Sequence, residues 1–256
     1  MRVNSDRLAE KLWFPPPAEA VLPDDEVHVW RASLNVATVQ LQGLLDLLAP
    51  DETRRAERFY FQEDRNRFIV ARGVLRIILS RYLDMRPDDL RFHTNRYGKP
   101  ALDCARKHGE WLSFNLSHSG ELALYAVARG RGVGVDLERI RPHIAGEEIA
   151  ARFFSPRENA ALRTVPPEQR HAAFFTCWTR KEAYIKARGE GLSYPLDQFD
   201  VSLHPGEPAR LLSAAGDPAE AGRWSVRELR PGPDYMAALV VEGHGWKLKR
   251  WQMVLR

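Results

Sequence analysis

The residues best suited to chemistry fall in two charged segments, Gly134-Val135-Asp136-Leu137-Glu138 and Trp178-Thr179-Arg180-Lys181-Glu182-Ala183-Tyr184-Ile185-Lys186. The apolar, β-branched run from Val133 to Leu137 predicts a strand, and its two-residue period turns Asp136 and Glu138 to one face. Two carboxylates side by side repel each other, and a cation between them relieves the repulsion. The stretch from Phe174 to Ala187 follows a helical period that lines up Trp178, Glu182 and Lys186 on successive turns. A carboxylate and an ammonium one turn apart can address a metal and an anion together. A hard cation such as Mg²⁺ takes one or two carboxylates, keeps some water and completes its shell with phosphate oxygens. Three acids and a lysine in this pattern suit a magnesium-bound polyphosphate.

Singly, each piece also has an ordinary structural reading. Glu182 and Lys186 could be a surface pair one helical turn apart, Asp136 and Glu138 the solvated face of an edge strand, and Trp178, after Phe174 and Phe175, a core anchor. Joint occurrence with phosphate-suited residues upstream favours the site. Arg54-Arg55-Ala56-Glu57-Arg58-Phe59-Tyr60-Phe61 leads into Arg65, Arg67, Arg72 and Arg76 on a long helical pattern, with one face apolar and another cationic. Tyr97-Gly98-Lys99-Pro100 is a turn signal that presents Lys99 from a rigid loop. Phe114-Asn115-Leu116-Ser117-His118-Ser119-Gly120 packs hydroxyls, an amide and an imidazole into one donor-rich run.

Taken in order, Arg58-Phe59-Tyr60 with Glu63-Asp64, the Tyr97 turn, the Phe114 run, Gly132 to Glu138 and Trp178 to Lys186 resemble the 4′-phosphopantetheinyl transferases of the surfactin-synthetase-activating (Sfp) type. The resemblance implies transfer of phosphopantetheine from coenzyme A to a serine of an apo carrier protein, leaving adenosine 3′,5′-bisphosphate. It also implies Mg²⁺ held by Asp136, Glu138 and Glu182 against the coenzyme A pyrophosphate. Glu182 is the family's candidate for activating the carrier serine, and Lys186 would contact the pyrophosphate and stabilise charge. Ser117 and His118 would hold phosphates, His118 chiefly the 3′-phosphate, and Lys99 would lie beside the adenine end. Arg55 matches a basic position near the 3′-phosphate, but Glu52 stands where some relatives have lysine, so Arg67 and Arg72 are candidates for the missing charge. Such a reaction needs alignment and charge neutralisation rather than a covalent protein nucleophile.

A 256-residue chain with 44% apolar residues can bury one large core or two smaller ones. Cys104 and Cys177 lack metal or thiol-catalysis spacing and read as reduced thiols, and no apolar run approaches the roughly eighteen residues needed to span a bilayer. A cytoplasmic, membrane-free protein is expected. Residues 1–25 read as a weakly ordered lead-in. Strands are expected near 27–32, 111–115, 121–128 and 133–137, with three or four more between Phe199 and Val254. Helices are expected at 38–48, 51–83, 147–154, 156–163 and 167–188. Helix-rich stretches followed by antiparallel-looking strands give an α+β fold. To this the resemblance adds two similar subdomains, 26–130 and 131–256, related by pseudo-twofold symmetry with coenzyme A between them, so a monomer suffices.

The rival reading from another class is a nucleic-acid-binding protein or metal-dependent nuclease, suggested by a pI near 9.2 and aromatics interleaved with arginines. A net charge of only +4, and a lysine one helical turn beyond Glu182, argue against it. A third, a degenerate carrier-binding module, is disfavoured because every motif acid is present. Expected partners are acidic peptidyl, acyl or polyketide carrier domains, steered by the basic chain and meeting it near the second motif; an apolar patch around Phe153 and Phe154 is the competing account of docking. Tight coenzyme A binding is expected, and no nucleic acid or membrane partner.

Overall fold

In the computed structural model, residues 12–17, 19–103, 111–141 and 146–255 are described, with Leu192 by its backbone only. Cys104 and the start of the expected lead-in lie outside the described residues, whereas Cys177 is a buried free thiol. The first half runs β1 (Glu26–Ser33), α1 (Thr38–Leu45), α2 (Pro50–Ala56), α3 (Gln62–Leu83), β2 (Phe92–Thr94), β3 (Pro100–Leu102), β4 (Leu112–Ser119) and β5 (Leu122–Arg129). The second runs β6 (Val133–Arg139), α4 (Gly146–Phe153), α5 (Pro156–Thr164), α6 (Pro167–Arg188), β7 (Phe199–Val201), β8 (Leu211–Ala214), α7 (Glu220–Arg223), β9 (Trp224–Leu229), β10 (Tyr235–Glu242) and β11 (Lys247–Gln252).

The expected α+β architecture is present, and one plan occurs twice. In the first half β1 pairs antiparallel with β5 and β5 with β4; in the second β6 pairs antiparallel with β10 and β10 with β9. A 22-residue helix follows the first strand of each set, α3 in one and α6 in the other. The two sheets lie back to back. Val27, Val29, Leu124 and Ala126 of one meet Val133, Val135, Leu137 and Leu239 of the other in a buried layer. The outer face of the first sheet, with Trp30, Phe114, Tyr125 and Val127, packs on α3, and that of the second, with Val226, Ala238 and Val240, packs on α6. Each large apolar side chain buried in these layers contributes about 1.5–3 kcal/mol, which makes the layering, not any ion pair, the main source of stability.

Several expectations are corrected. The helical stretch expected over 51–83 is two helices broken at 57–61, where Tyr60 and Phe61 project into solvent and Phe61 caps α3. The donor-rich run Phe114 to Ser119 is strand β4, with the turn confined to Gly120. The β2–β3 hairpin around Gly98 was not expected, and five strands rather than three or four follow residue 198. The last of them, β11, crosses back to pair parallel with β1 in the first sheet. Part of the lead-in is anchored: Trp13 and Leu22 are buried, Trp13 Nε1 donates to Arg230 O at 3.1 Å, and Phe14 bridges to Trp251.

Candidate functional site

The site grows from the alternation of β6. Its odd-numbered residues Val133, Val135 and Leu137 enter the layer between the sheets, which leaves Gly134, Asp136 and Glu138 on the face toward α6. A Cβ at Gly134 would stand 2.1 Å from Ala183 O and 2.4 Å from Ala187 N. Only glycine lets the helix lie this close. The approach brings Lys186 Nζ to 2.5 Å from Asp136 Oδ1, and Ser117 Oγ of β4 donates to the same oxygen at 2.9 Å. Asp136 is 3% exposed, and its other oxygen, Oδ2, is buried with no hydrogen-bond partner among the described residues. Glu138 Oε2 accepts from Ser119 Oγ at 2.9 Å.

The acids of this contact act on one another electrostatically. Burial, then Asp136 and also Glu138, push the Glu182 carboxyl up to about 7, against the pull of Lys186. Burial and Asp136 likewise raise Glu138 above the usual carboxylate range, with Ser119 and Lys186 opposing. A buried carboxylate oxygen without a partner, beside two acids that resist ionising, is the pattern a divalent cation would relieve. Among the described residues no three His, Cys, Asp or Glu side chains stand together closely enough to hold a metal ion by themselves. Magnesium does not require one, since it keeps water and takes substrate oxygens. Asp136, with its partnerless oxygen, and the neighbouring acids Glu138 and Glu182 are the residues that would hold such an ion together with water and substrate oxygens.

The residues expected at the nucleotide end are dispersed around this centre. Arg67, on the first turns of α3, pairs with Glu63 at 2.5 Å. Burial, then the charges of Lys186 and Arg67, hold the His118 imidazole below its ordinary value, with Asp64 opposing. Lys99 turns inward: its Nζ donates to Lys186 O at 2.7 Å, Val133 O at 3.1 Å and Ala187 O at 3.4 Å, and burial lowers it to about 8. With Asn95 Nδ2 on Gly189 O at 2.7 Å, the β2–β3 hairpin caps the last turn of α6. Beside Lys99, a cavity of about 310 Å³ is lined by Pro100, Leu112, Phe114, Gly132 and Val133. Arg55 lies over the Phe68 ring and edges a separate cavity of about 630 Å³ with Arg54, Arg58 and Phe59.

Arg72 and Arg76 do not form the expected cationic face. Arg72 Nε donates to Glu52 Oε1 at 2.6 Å and Arg76 Nε to Glu52 Oε2 at 2.7 Å, so Glu52, the residue that departs from the family pattern, holds both inside the first half. Trp178 packs against Phe153 and Phe174 as a core anchor, and Phe154 is buried. Sequence reasoning missed Gly134 as the contact that seats α6, and Asn115 and Ser119 as partners of β6. It also missed a buried pair, Lys181 Nζ to Glu158 Oε1 at 2.7 Å. The signal for the last was legible, because Ser155-Pro156-Arg157-Glu158 is a capping box opening a helix.

Comparison with known proteins settles the class. Residues 132–240 match the 4′-phosphopantetheinyl transferase superfamily, and residues 30–129 the 4′-phosphopantetheinyl transferase N-terminal family. The chain is 45% identical over 245 residues to the 4′-phosphopantetheinyl transferase HetI of Nostoc sp. (strain PCC 7120), covering 95% of this chain and 99% of HetI. It is 35% identical over 164 residues to the 4′-phosphopantetheinyl transferase Sfp of Bacillus subtilis (strain 168), 64% of this chain and 70% of Sfp. A solved structure, the holo-[acyl-carrier-protein] synthase AcpS of Thermotoga maritima, matches 46% of this chain and 64% of its own at 23% identity and a TM-score of 0.35. The chain belongs to the 4′-phosphopantetheinyl transferase family, of the Sfp type.

Proposed function

We propose that this protein transfers the 4′-phosphopantetheine group of coenzyme A to a serine of an apo carrier domain at the contact of β6 with α6, in a Mg²⁺-dependent reaction. The observation that carries the reading is the meeting of Asp136, Glu138 and Glu182 with Lys186 at that contact. The serine oxygen bonds to the β-phosphorus, and the bond from that phosphorus to the bridging oxygen breaks. The electron pair leaves with the 5′-phosphate of adenosine 3′,5′-bisphosphate. Glu182 takes the serine proton directly or through water. Lys186, ion-paired to Asp136, faces the diphosphate and stabilises the charge that grows on the leaving group. When bound by the three acids, Mg²⁺ would neutralise the diphosphate and orient it.

In this reading His118 and Arg67 serve the 3′-phosphate end, with Arg55 at a separate cavity beside Phe68, and the cavity beside Lys99 and Pro100 takes the adenine. Ser117 has its hydroxyl engaged by Asp136 and Lys186, which leaves its backbone rather than its side chain for phosphate. Among the described residues no helix is long and apolar enough to cross a membrane, and the reading has a monomer in the cytoplasm acting on acidic peptidyl, acyl or polyketide carriers of secondary-metabolite pathways. Mass spectrometry of an apo carrier incubated with enzyme, coenzyme A and Mg²⁺ tests it. Addition of one phosphopantetheine group, abolished by a chelator, is the expected result. Unmodified carriers across a peptidyl, acyl and polyketide panel would overturn it.

A further inference from the structure

The seam between the two halves is built unlike the rest of the sheets. β4 and β6 lie side by side and advance in step, yet they exchange no backbone ladder. Instead three alternate side chains of β4 serve the amides of β6: Asn115 Oδ1 accepts from Val135 N at 2.9 Å, Ser117 Oγ from Leu137 N at 3.3 Å and Ser119 Oγ from Arg139 N at 3.0 Å. The two serines use their remaining hydrogen on the acids of the site. Ser117 Oγ donates to Asp136 and Ser119 Oγ to Glu138, each at 2.9 Å. Ser117 and Ser119 are 7% and 6% exposed, so neither hydroxyl is free to turn toward solvent.

Each hydroxyl therefore does two things at once, fixing a β6 amide and aiming the adjacent carboxylate. A backbone carbonyl in the same place could accept from the amide but could not donate to the acid. The substitution of side chain for backbone explains why the run alternates Asn, Ser, Ser at every second residue. Building on the magnesium reading above, we propose that Ser119 is a positioning residue for Glu138, as Ser117 is for Asp136, so that a strand of the first half sets the carboxylate geometry of the second. Ser119 donates to an acid it orients and touches neither substrate nor leaving group.

A double-mutant cycle distinguishes aiming from general structural support. Coenzyme A binding is measured by calorimetry over a series of free Mg²⁺ concentrations for wild type, Ser119→Ala, Glu138→Gln and the double variant. The expected result is a rise of about 3- to 10-fold in half-saturating Mg²⁺ for Ser119→Ala in the wild-type background, and less than about 2-fold once Glu138 is Gln. The same factor in both backgrounds, or none in the first, would overturn the proposal while leaving the transferase reading intact. A wild-type protein whose coenzyme A affinity ignores Mg²⁺ would overturn the metal reading and this proposal with it. If the alanine variant does not fold, Ser119→Cys, of similar size with a weak donor, runs the same cycle.

Discussion

The two halves repeat a buried ion pair at matching positions, yet only one half carries the acid cluster. Arg76 and Lys181 are each the fifteenth residue of a 22-residue helix. Glu52 and Glu158 are each the third residue of the short, proline-started helix before it, and each accepts from the backbone N–H of its N-cap residue, Ala49 and Ser155, with only Ser155 completing a capping box. Arg76 is 1% exposed and Lys181 is fully buried. The repetition identifies the Lys181–Glu158 pair as scaffold, although it sits next to Glu182 in sequence. What the second half has alone is Gly134, which seats α6 on β6, and the acids Asp136, Glu138 and Glu182. Glu182 has Ile77 at the corresponding position of α3, whereas Lys186 has another cation, Arg81. Burial and pairing at a repeated position mark architecture; function lies where the halves differ.

The largest effect should fall on the unrepeated acids. Asp136→Ala and Glu182→Ala each should lower carrier modification by about a thousandfold or more, equivalent to about 4 kcal/mol, with a normal unfolding transition. Turnover near wild type in either, measured by carrier mass shift, would break the contrast between the halves. The repeated pair should behave oppositely. Lys181→Met leaves Glu158 buried without its cation and should destabilise by about 3–5 kcal/mol in denaturant titrations, and Arg76→Met should cost less, because Arg72 still pairs with Glu52. The folded fraction of each should retain turnover. Loss of turnover confined to Lys181→Met would show that this lysine takes part in the site.

Lys186→Ala should come next, lowering kcat by about a hundredfold while coenzyme A affinity changes less than about threefold, because its contact strengthens as the leaving group gains charge. Equal losses in both would make it a binding residue only. The smallest effect is in pH. The folded pKa of Glu182, about 7, lies above its unfolded value, so its contribution to stability is full below about 4.5 and is lost as pH rises through 7. His118, held low, contributes in the opposite sense, with stability present above about 6.5 and lost as pH falls. Subtracting the metal-free thermal profile of Glu182→Gln from that of wild type removes the histidine. The variant should gain on the order of 1–3 kcal/mol by pH 8 and nothing at pH 4.5. A flat difference would show that Glu182 is neither desolvated nor in the field of Asp136.

Much of this was legible in sequence where local pattern and structure coincide. Helix α6 spans the expected Pro167–Arg188 because proline opens it and Gly189, at φ 77°, closes it. The alternation of β6 carried Asp136 and Glu138 to one face, and helical spacing carried Glu182 and Lys186 to meet them. What failed depended on partners distant in the chain. Arginines at a helical period look solvated until Glu52, on another helix, draws Arg72 and Arg76 inward. Serines in a run look like ligand donors until β6 lays its amides beside them. The pairing of β11 with β1 leaves no periodic trace, since register between distant strands is set by packing.

The most direct test of the central claim is whether the acids at the β6–α6 contact bind the ion. Mn²⁺ binding in the presence of coenzyme A, followed by electron paramagnetic resonance, should show one tight site per wild-type chain. Asp136→Asn and Glu182→Gln should each weaken it at least tenfold. Unchanged Mn²⁺ affinity in both variants would exclude the β6–α6 contact as the ion's site.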